Sequence, residues 1–83
     1  MIEKNKAKPG PRPKLETGIY RHYKGKLYDV IDIACHTESL EYYVIYKVNY
    51  PVSGVDIWLR PYSMFTDYVT LDNKKVPRFK KIN

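Results

Sequence analysis

Hydrophobic and polar positions along the middle of the chain alternate with the two-residue period that is typical of β-strands. Residues 19–23 predict a short first strand, followed by a turn at 24–26. Residues 27–36 predict the clearest strand, and apolar side chains on both of its faces indicate a central strand that is strongly bent or covered on both sides. Residues 42–50 alternate aromatic and aliphatic side chains and predict a third strand. No segment shows the apolar period of a helix of the usual length.

Shorter elements follow the third strand. Residues 51–54 predict a turn, because proline removes a backbone donor and glycine frees the backbone. Residues 56–60 predict a fourth strand, residues 61–65 a single helical turn, and residues 68–71 a last short strand before an Asp72-Asn73 turn. Four or five short strands with turns about every ten residues indicate a mainly β fold, either a small antiparallel barrel or a strongly curled sheet.

The net charge of +6 resides at the two ends of the chain. Residues 1–14 and 72–83 each carry a net charge of +4, whereas residues 15–71 carry −2. We therefore predict a flexible, basic, proline-rich arm over 1–14, a β-barrel-like domain over 15–71 and a basic C-terminal tail over 72–83. These ends either keep the protein soluble or dock on nucleic acid through its phosphates.

Cysteine content and hydropathy suggest a compartment. A single cysteine excludes an intrachain disulfide and fits a reducing environment. No apolar stretch approaches the ~20 residues that span a bilayer, and the lysine-rich N-terminus lacks the apolar segment of a secretory signal. We expect a cytoplasmic protein without a membrane partner, as a monomer or weak homodimer.

Ring-bearing and ionisable side chains crowd the centre of the sequence, where all nine tyrosines, both histidines and the only tryptophan occur. Aromatic side chains with a polar tip suit a recognition site that is partly apolar and partly wet. We expect a pocket that binds an anionic small molecule, a nucleotide or a peptide. Its candidate ligand-binding residues are Tyr20, His22, Tyr28, His36, Glu38, Trp58 and Arg60. In this hypothesis Arg60 and one histidine contact the anion, and Glu38 orients a histidine.

His36 and Glu38 are two positions apart, so in an extended segment they point the same way. A histidine held by a carboxylate suits anion binding or general acid catalysis, whereas the plainer alternative is a hydrogen-bond network that stabilises a loop. They are the candidate catalytic residues of a small hydrolase or nucleotide-processing enzyme, which is the alternative to a non-enzymatic binding module. Cys35 faces the other side of its strand and suits a core cysteine better than a nucleophile.

Two further patterns bear on the chemistry. The histidine and carboxylate spacing matches no established metal signature, so we expect neither a metal nor another cofactor. Trp58 and Arg60 share one face of the fourth strand, where a guanidinium can pack on an indole and still reach a carboxylate or phosphate. The alternative is an internal ion pair between Arg60 and either Glu38 or Glu41.

The order of residues also resembles a known family over about two thirds of the chain. The matching positions are Gly18, Tyr20, His22, Tyr23-Lys24-Gly25, Tyr28, Val30, Ala34, His36-Thr37-Glu38-Ser39, Glu41, Val44, Tyr46, Tyr50, Trp58, Arg60-Pro61, Met64-Phe65, Val69 and Pro77-Arg78-Phe79. As a set they resemble DUF1653, a bacterial family of small proteins. The resemblance implies an SH3-like, mostly β domain with its core in residues 18–69. It implies no activity, although members that occur beside nucleotide-processing domains point to a nucleotide or phosphorylated ligand.

Overall fold

The computed structural model describes residues 8–83, and the fold is mainly β, as the alternation predicts. The elements in chain order are β1 (Gly18–His22), β2 (Leu27–Cys35), β3 (Tyr42–Val48), β4 (Ile57–Pro61), α1 (Tyr62–Phe65), β5 (Tyr68–Leu71), β6 (Lys74–Pro77) and β7 (Phe79–Lys81). Five strands form an antiparallel sheet in the order β4-β3-β2-β1-β7, while β5 and β6 form a separate hairpin. No helix in residues 8–83 has the length and apolar character needed to cross a membrane.

β2 lies at the centre of the sheet, between β1 and β3. Its pairing with β3 shifts between Val30 and Asp32, so Ile31 is the extra residue of a β-bulge. Val30 is buried before the bulge and Ile33 is buried after it, whereas Ile31 is exposed. Because of the extra residue, even-numbered side chains face the core before the bulge and odd-numbered side chains face it afterwards. This change explains why both sets of alternating positions in β2 carry apolar side chains.

The core is aromatic and lies inside the curl of the sheet. Its buried members are Tyr20, Val30, Val44, Tyr46, Phe65 and Phe79. The rings of Phe65 in α1 and Phe79 in β7 stack with centroids 4.0 Å apart. Arg60 of β4, the opposite edge strand, lies over the same Phe79 ring, so the sheet is strongly curled. Within the described residues no pairing joins β4 to β7, and the sheet does not close into a barrel.

The C-terminal segment differs from the basic tail expected over 72–83. Asp72 and Asn73 have φ values of 52° and 63° and form a two-residue turn, after which the chain continues as β6 and β7. β7 pairs with β1 and buries Phe79 in the core. The fold therefore extends to Lys81, because β7 pairs with β1 and the Phe79 side chain is buried in the core.

The N-terminal segment also contacts the sheet. Residues 8–17 have no regular secondary structure, but Leu15 packs against the core and Arg12 forms an ion pair with Asp32. Residues 1–7 of the predicted arm lie outside the described residues.

Candidate functional site

A cleft of about 370 Å³ opens beside the edge strand β4. Its lining is Tyr28, Tyr46, Val48, Tyr50, Val52, Ser53, Val55 and Trp58. Strand register brings these side chains together, since Tyr28 lies opposite Val48 and Tyr46 lies opposite Trp58. The connection between β3 and β4, residues 49–56, supplies the remaining wall. The cleft is therefore built from three neighbouring strands and one loop.

The tyrosines of the cleft support one another. The Tyr28 ring meets those of Tyr46 and Tyr50 edge-on, with centroids 5.3 Å and 5.8 Å apart, and its hydroxyl lies 3.3 Å from that of Tyr50. Burial, together with this hydrogen bond, raises the pKa of Tyr28 to about 12. The Tyr28 hydroxyl is therefore a neutral hydrogen-bonding group at physiological pH. Trp58 remains 51% exposed at the other wall.

Arg60 lies on the same face of β4 as Trp58, two residues further along the strand. Its guanidinium carbon is 5.5 Å from the Phe79 centroid, and its Nε atom is buried without a hydrogen-bond partner. The ion pairs among residues 8–83 do not include Arg60, so neither Glu38 nor Glu41 neutralises it there. A partly buried cation without a salt bridge favours the binding of an anion.

His22 lies beside the same aromatic ring, with its centroid 4.9 Å from that of Phe79. Burial, reinforced by the positive charges of Arg60, Arg78 and Lys24, lowers the pKa of His22. Its Nδ1 atom accepts a hydrogen bond from the backbone N–H of Lys24 at 3.1 Å, which places the proton of the neutral ring on Nε2. At neutral pH His22 is thus a neutral donor, and the positive charge around it comes from Arg60, Arg78 and Lys24.

Tyr20 belongs to the core. It is buried, its ring meets Phe65 edge-on at 5.6 Å, and its hydroxyl donates to the backbone carbonyl of Glu16 at 2.7 Å. Burial raises the pKa of this phenol. Tyr20 therefore supports the site from beneath and is not among the residues that line the cleft.

His36 and Glu38 contact each other in the exposed loop between β2 and β3. The Nδ1 atom of His36 accepts the backbone N–H groups of Glu38 and Ser39, and the Glu38 carboxylate lies 3.6 Å from the same nitrogen. The two side chains are 47% and 81% exposed. These bonds form the loop-stabilising network that the sequence offers as one alternative.

This loop lies apart from the Trp58–Arg60 face. The His36 ring packs 6.0 Å from the ring of Tyr43, which alternates with Val44 in β3. Val44 is the residue opposite Arg60, so Tyr43 and its neighbour His36 lie on the other face of the sheet. The structure therefore places Tyr28, Arg60 and His22 around the Phe79 ring. Tyr28 and Trp58 line the cleft, whereas Arg60 and His22 lie outside its lining, and His36 and Glu38 belong to neither group.

Metal-ligating and thiol groups are dispersed. Within residues 8–83, no three side chains of His, Cys, Asp or Glu gather as a metal site. The Cys35 thiol lies 3.7 Å from the backbone carbonyl oxygen of His36. Cys35 therefore contacts the backbone of the residue that follows β2, and it is only partly buried and outside the core, unlike the core cysteine expected from the sequence.

Sequence reasoning missed Tyr46, Tyr50 and Phe79 as site residues. Tyr46 and Tyr50 alternate with the same two-residue period as Val48, so the sequence indicates that they share a face of the third strand. This alternation was the signal that could have placed them beside Trp58 of the next strand. Phe79 carried a weaker signal, since it is a lone aromatic residue in a basic segment.

Comparisons with known proteins agree with this architecture. Residues 18–81 match the model of a family described as "Protein of unknown function (DUF1653)", and the match extends through β7. The fold is similar to the crystal structure of a DUF1653 protein from Bordetella bronchiseptica, with a TM-score of 0.76 and 29% sequence identity, over 82% of this chain and 87% of that chain. The curated proteins contain no match. The resemblance seen in the sequence is confirmed, and the chain belongs to the DUF1653 family.

Proposed function

We propose that this chain is a non-enzymatic binding module that recognises an anionic small molecule, nucleotide or peptide in the cleft beside Arg60. One observation carries the proposal. The Arg60 guanidinium is partly buried, has an unpaired Nε–H and forms no salt bridge among the described residues; Asp67, whose pKa its charge helps to lower, is bound by Arg78. A buried donor without a partner costs about 1–3 kcal/mol, and a bound oxyanion would remove that cost.

The aromatic walls define the rest of the ligand. Exposed Trp58 offers a flat apolar surface, and stacking of a nucleobase on such a ring is worth about 1–3 kcal/mol. Tyr50 lines the same cleft with Lys26 Nζ 4.6 Å from its ring centroid. The cleft volume of about 370 Å³ lies near the lower end of the roughly 300–1,000 Å³ typical of ligand pockets. A nucleoside monophosphate, with one flat ring and one phosphate, is the representative ligand of this proposal.

The proposal includes the finer fold and the location. We interpret the curled sheet as SH3-like, and the contact of Arg60 with Phe79 across the two edge strands supports this interpretation. We place the protein in the cytoplasm on the grounds of its single cysteine and its lack of a spanning helix within residues 8–83.

The enzymatic alternative has less support. His36 uses Nδ1 to accept backbone N–H groups, and the His36–Glu38 pair is exposed on a loop rather than enclosed with a cation. Docking on nucleic acid through the C-terminal charges is also weaker, because Arg78 pairs with Asp67 and Lys81 lies 3.7 Å from Glu16. The charges of Arg78 and Lys81 are therefore partly neutralised by acidic residues of the fold.

A thermal-shift screen tests the proposal. The probes are inorganic phosphate, the nucleoside monophosphates and a short acidic peptide, each added to the full chain and to Arg60→Gln. A ligand at about 100 times its Kd adds about 2.7 kcal/mol of stability, and Arg60→Gln should abolish that gain. The matched control is Arg21→Gln, which removes an exposed arginine of β1 and should preserve it.

Other outcomes contradict the proposal. Protection that is lost in Arg21→Gln and kept in Arg60→Gln would place the anion elsewhere. Binding that falls steeply with salt and does not depend on Arg60 would favour nucleic-acid docking. Turnover of a nucleotide that disappears in both His36→Ala and Glu38→Gln would establish the enzyme instead.

A further inference from the structure

Residues 10–14 of the proline-rich arm lie in a groove at one end of the sheet, away from the aromatic cleft. We call this the tyrosine groove and define it by Asp32, Glu41, Tyr42, Tyr62 and Ser63. The Tyr42 hydroxyl donates to the Gly10 carbonyl at 2.8 Å, and the Tyr62 hydroxyl donates to the Lys14 carbonyl at 3.3 Å. Both hydrogen bonds recognise backbone carbonyls, so they suit any extended segment that follows this path.

Arg12 joins the described part of the arm to the sheet by an ion pair. Its Nη2 atom lies 2.7 Å from Asp32 Oδ1 and 3.5 Å from the backbone carbonyl of Ile33. Asp32 Oδ1 also accepts the backbone N–H of Ile33 at 2.8 Å, which holds the carboxylate in place at the bulge. The groove therefore offers a carboxylate and a backbone carbonyl to a cationic side chain at this position.

The fold leaves room for an extended chain here. Pairing of β1 with β2 ends at Gly18 and Val30, so β2 beyond the bulge pairs only with β3 within the described residues. Pro11 and Pro13 lack backbone donors and cannot continue the β1 ladder, but they favour the extended polyproline conformation. A space of about 280 Å³ remains between these prolines and the groove, so the arm does not fill it.

We propose that the tyrosine groove is a docking site for an extended, proline- and arginine-containing segment of another protein, and that residues 10–14 occupy it in cis. Aromatic grooves bind such segments well because the polyproline conformation is already formed and little entropy is lost. Two carboxylates, Asp32 and Glu41, complement the basic character of the segment. The Arg12 and Asp32 side chains are 60% and 66% exposed, so their ion pair is weak and the arm can be displaced.

The probe is a capped peptide with the sequence of residues 8–14, KPGPRPK, titrated into the isotope-labelled full chain and into full-chain Arg12→Glu. Arg12→Glu repels Asp32 and weakens the internal competitor. We expect the peptide to bind this variant about fivefold more tightly than the unaltered chain, with resonance shifts at Ile33, Tyr42 and Tyr62. A peptide carrying Arg12→Ala should bind about fivefold more weakly.

Matched protein variants, made in the Arg12→Glu chain, identify the groove. Tyr42→Phe and Asp32→Asn should weaken peptide binding, whereas Tyr68→Phe and Asp29→Asn, which change residues outside the groove, should not. The proposal fails if the peptide binds neither chain, or if both tyrosine variants behave alike. It also fails if the full chain forms a concentration-dependent dimer that the peptide dissociates, because the groove then belongs to the arm of a second copy. The experiment is independent of Arg60 and of the aromatic cleft.

Discussion

Arg60 and Phe79 connect the two edge strands of the sheet, with the guanidinium carbon 5.5 Å from the ring centroid. β4 and β7 stand at opposite ends of the strand order, so this contact exists only because the sheet curls. The same ring stacks on Phe65 at 4.0 Å and meets His22 at 4.9 Å. Phe79 therefore belongs both to the core and to the candidate site, and the position of Arg60 depends on it.

Phe79→Ala should destabilise the protein strongly. Removing a buried phenylalanine from a packed core costs about 3–5 kcal/mol, and the stack with Phe65 is lost as well. Urea denaturation followed by tryptophan fluorescence measures the free energy of unfolding. The control is Ile82→Ala, an exposed position that should change the free energy by less than about 0.5 kcal/mol. Equal effects would mean that β7 is a tail and not part of the core.

Arg60→Gln should change the free energy of unfolding by less than about 1 kcal/mol. The loss of the cation–π contact with Phe79 is offset by the removal of a partly buried charge whose Nε–H has no partner. Urea denaturation of the variant gives the value. A loss above about 3 kcal/mol would assign Arg60 a structural role and contradict its assignment to ligand binding.

Stability should fall on acidification below about pH 6.5, the ordinary pKa of histidine. The folded protein lowers the pKa of His22, so between the folded and unfolded pKa values the unfolded chain binds more protons. The stabilisation is complete above the unfolded pKa and is lost as the pH falls through the folded one. Denaturation between pH 7.5 and 5 measures the slope, and His22→Gln should reduce it. The control, His36→Gln, changes the other histidine in an exposed loop, and a slope that depends on it instead would contradict the account.

Asn73 should tolerate glycine and resist branched residues. Its φ of 63°, next to Asp72 at 52°, gives the positive-φ pair of a tight hairpin turn, in which glycine is favoured. Asn73→Gly should leave the melting temperature unchanged or raise it, whereas Asn73→Val should cost about 1–2 kcal/mol. A variant pair with the opposite order would show that this turn is formed differently.

Local pattern predicted much of the fold. The alternation in residues 42–50 and the apolar strand before it correspond to β3 and β2, and the turn at Asp72-Asn73 follows from residue type. The position of the bulge at Ile31 was not predictable, because it is defined by the register of β2 against β3 and the sequence does not show that register. β6 and β7 were missed because their lysines resemble a solvated tail and Phe79 is buried only through long-range contacts.

Only the part of the candidate site that lies on one strand was predictable from the sequence. Trp58 and Arg60 share a face because they are two residues apart in a strand, and this relation is local. His36 lies away from Arg60 because the loop between β2 and β3 packs on the face of β3 that carries Tyr43. Residue spacing alone does not show which face the loop contacts. Tyr46 and Tyr50 had the correct parity, but their meeting with Trp58 required the register of β3 against β4.

The most direct test of the central claim is the side-chain Nε–H resonance of Arg60, observed by NMR while a nucleoside monophosphate is titrated into the full chain. Because this donor is buried and unpaired, a bound phosphate should shift its resonance together with the indole N–H of Trp58. Arg60→Gln identifies the signal by its absence. Saturable shifts of both resonances are the predicted result. A nucleotide that binds while both resonances stay in place, or no binding by any anion in the screen, would contradict the proposal.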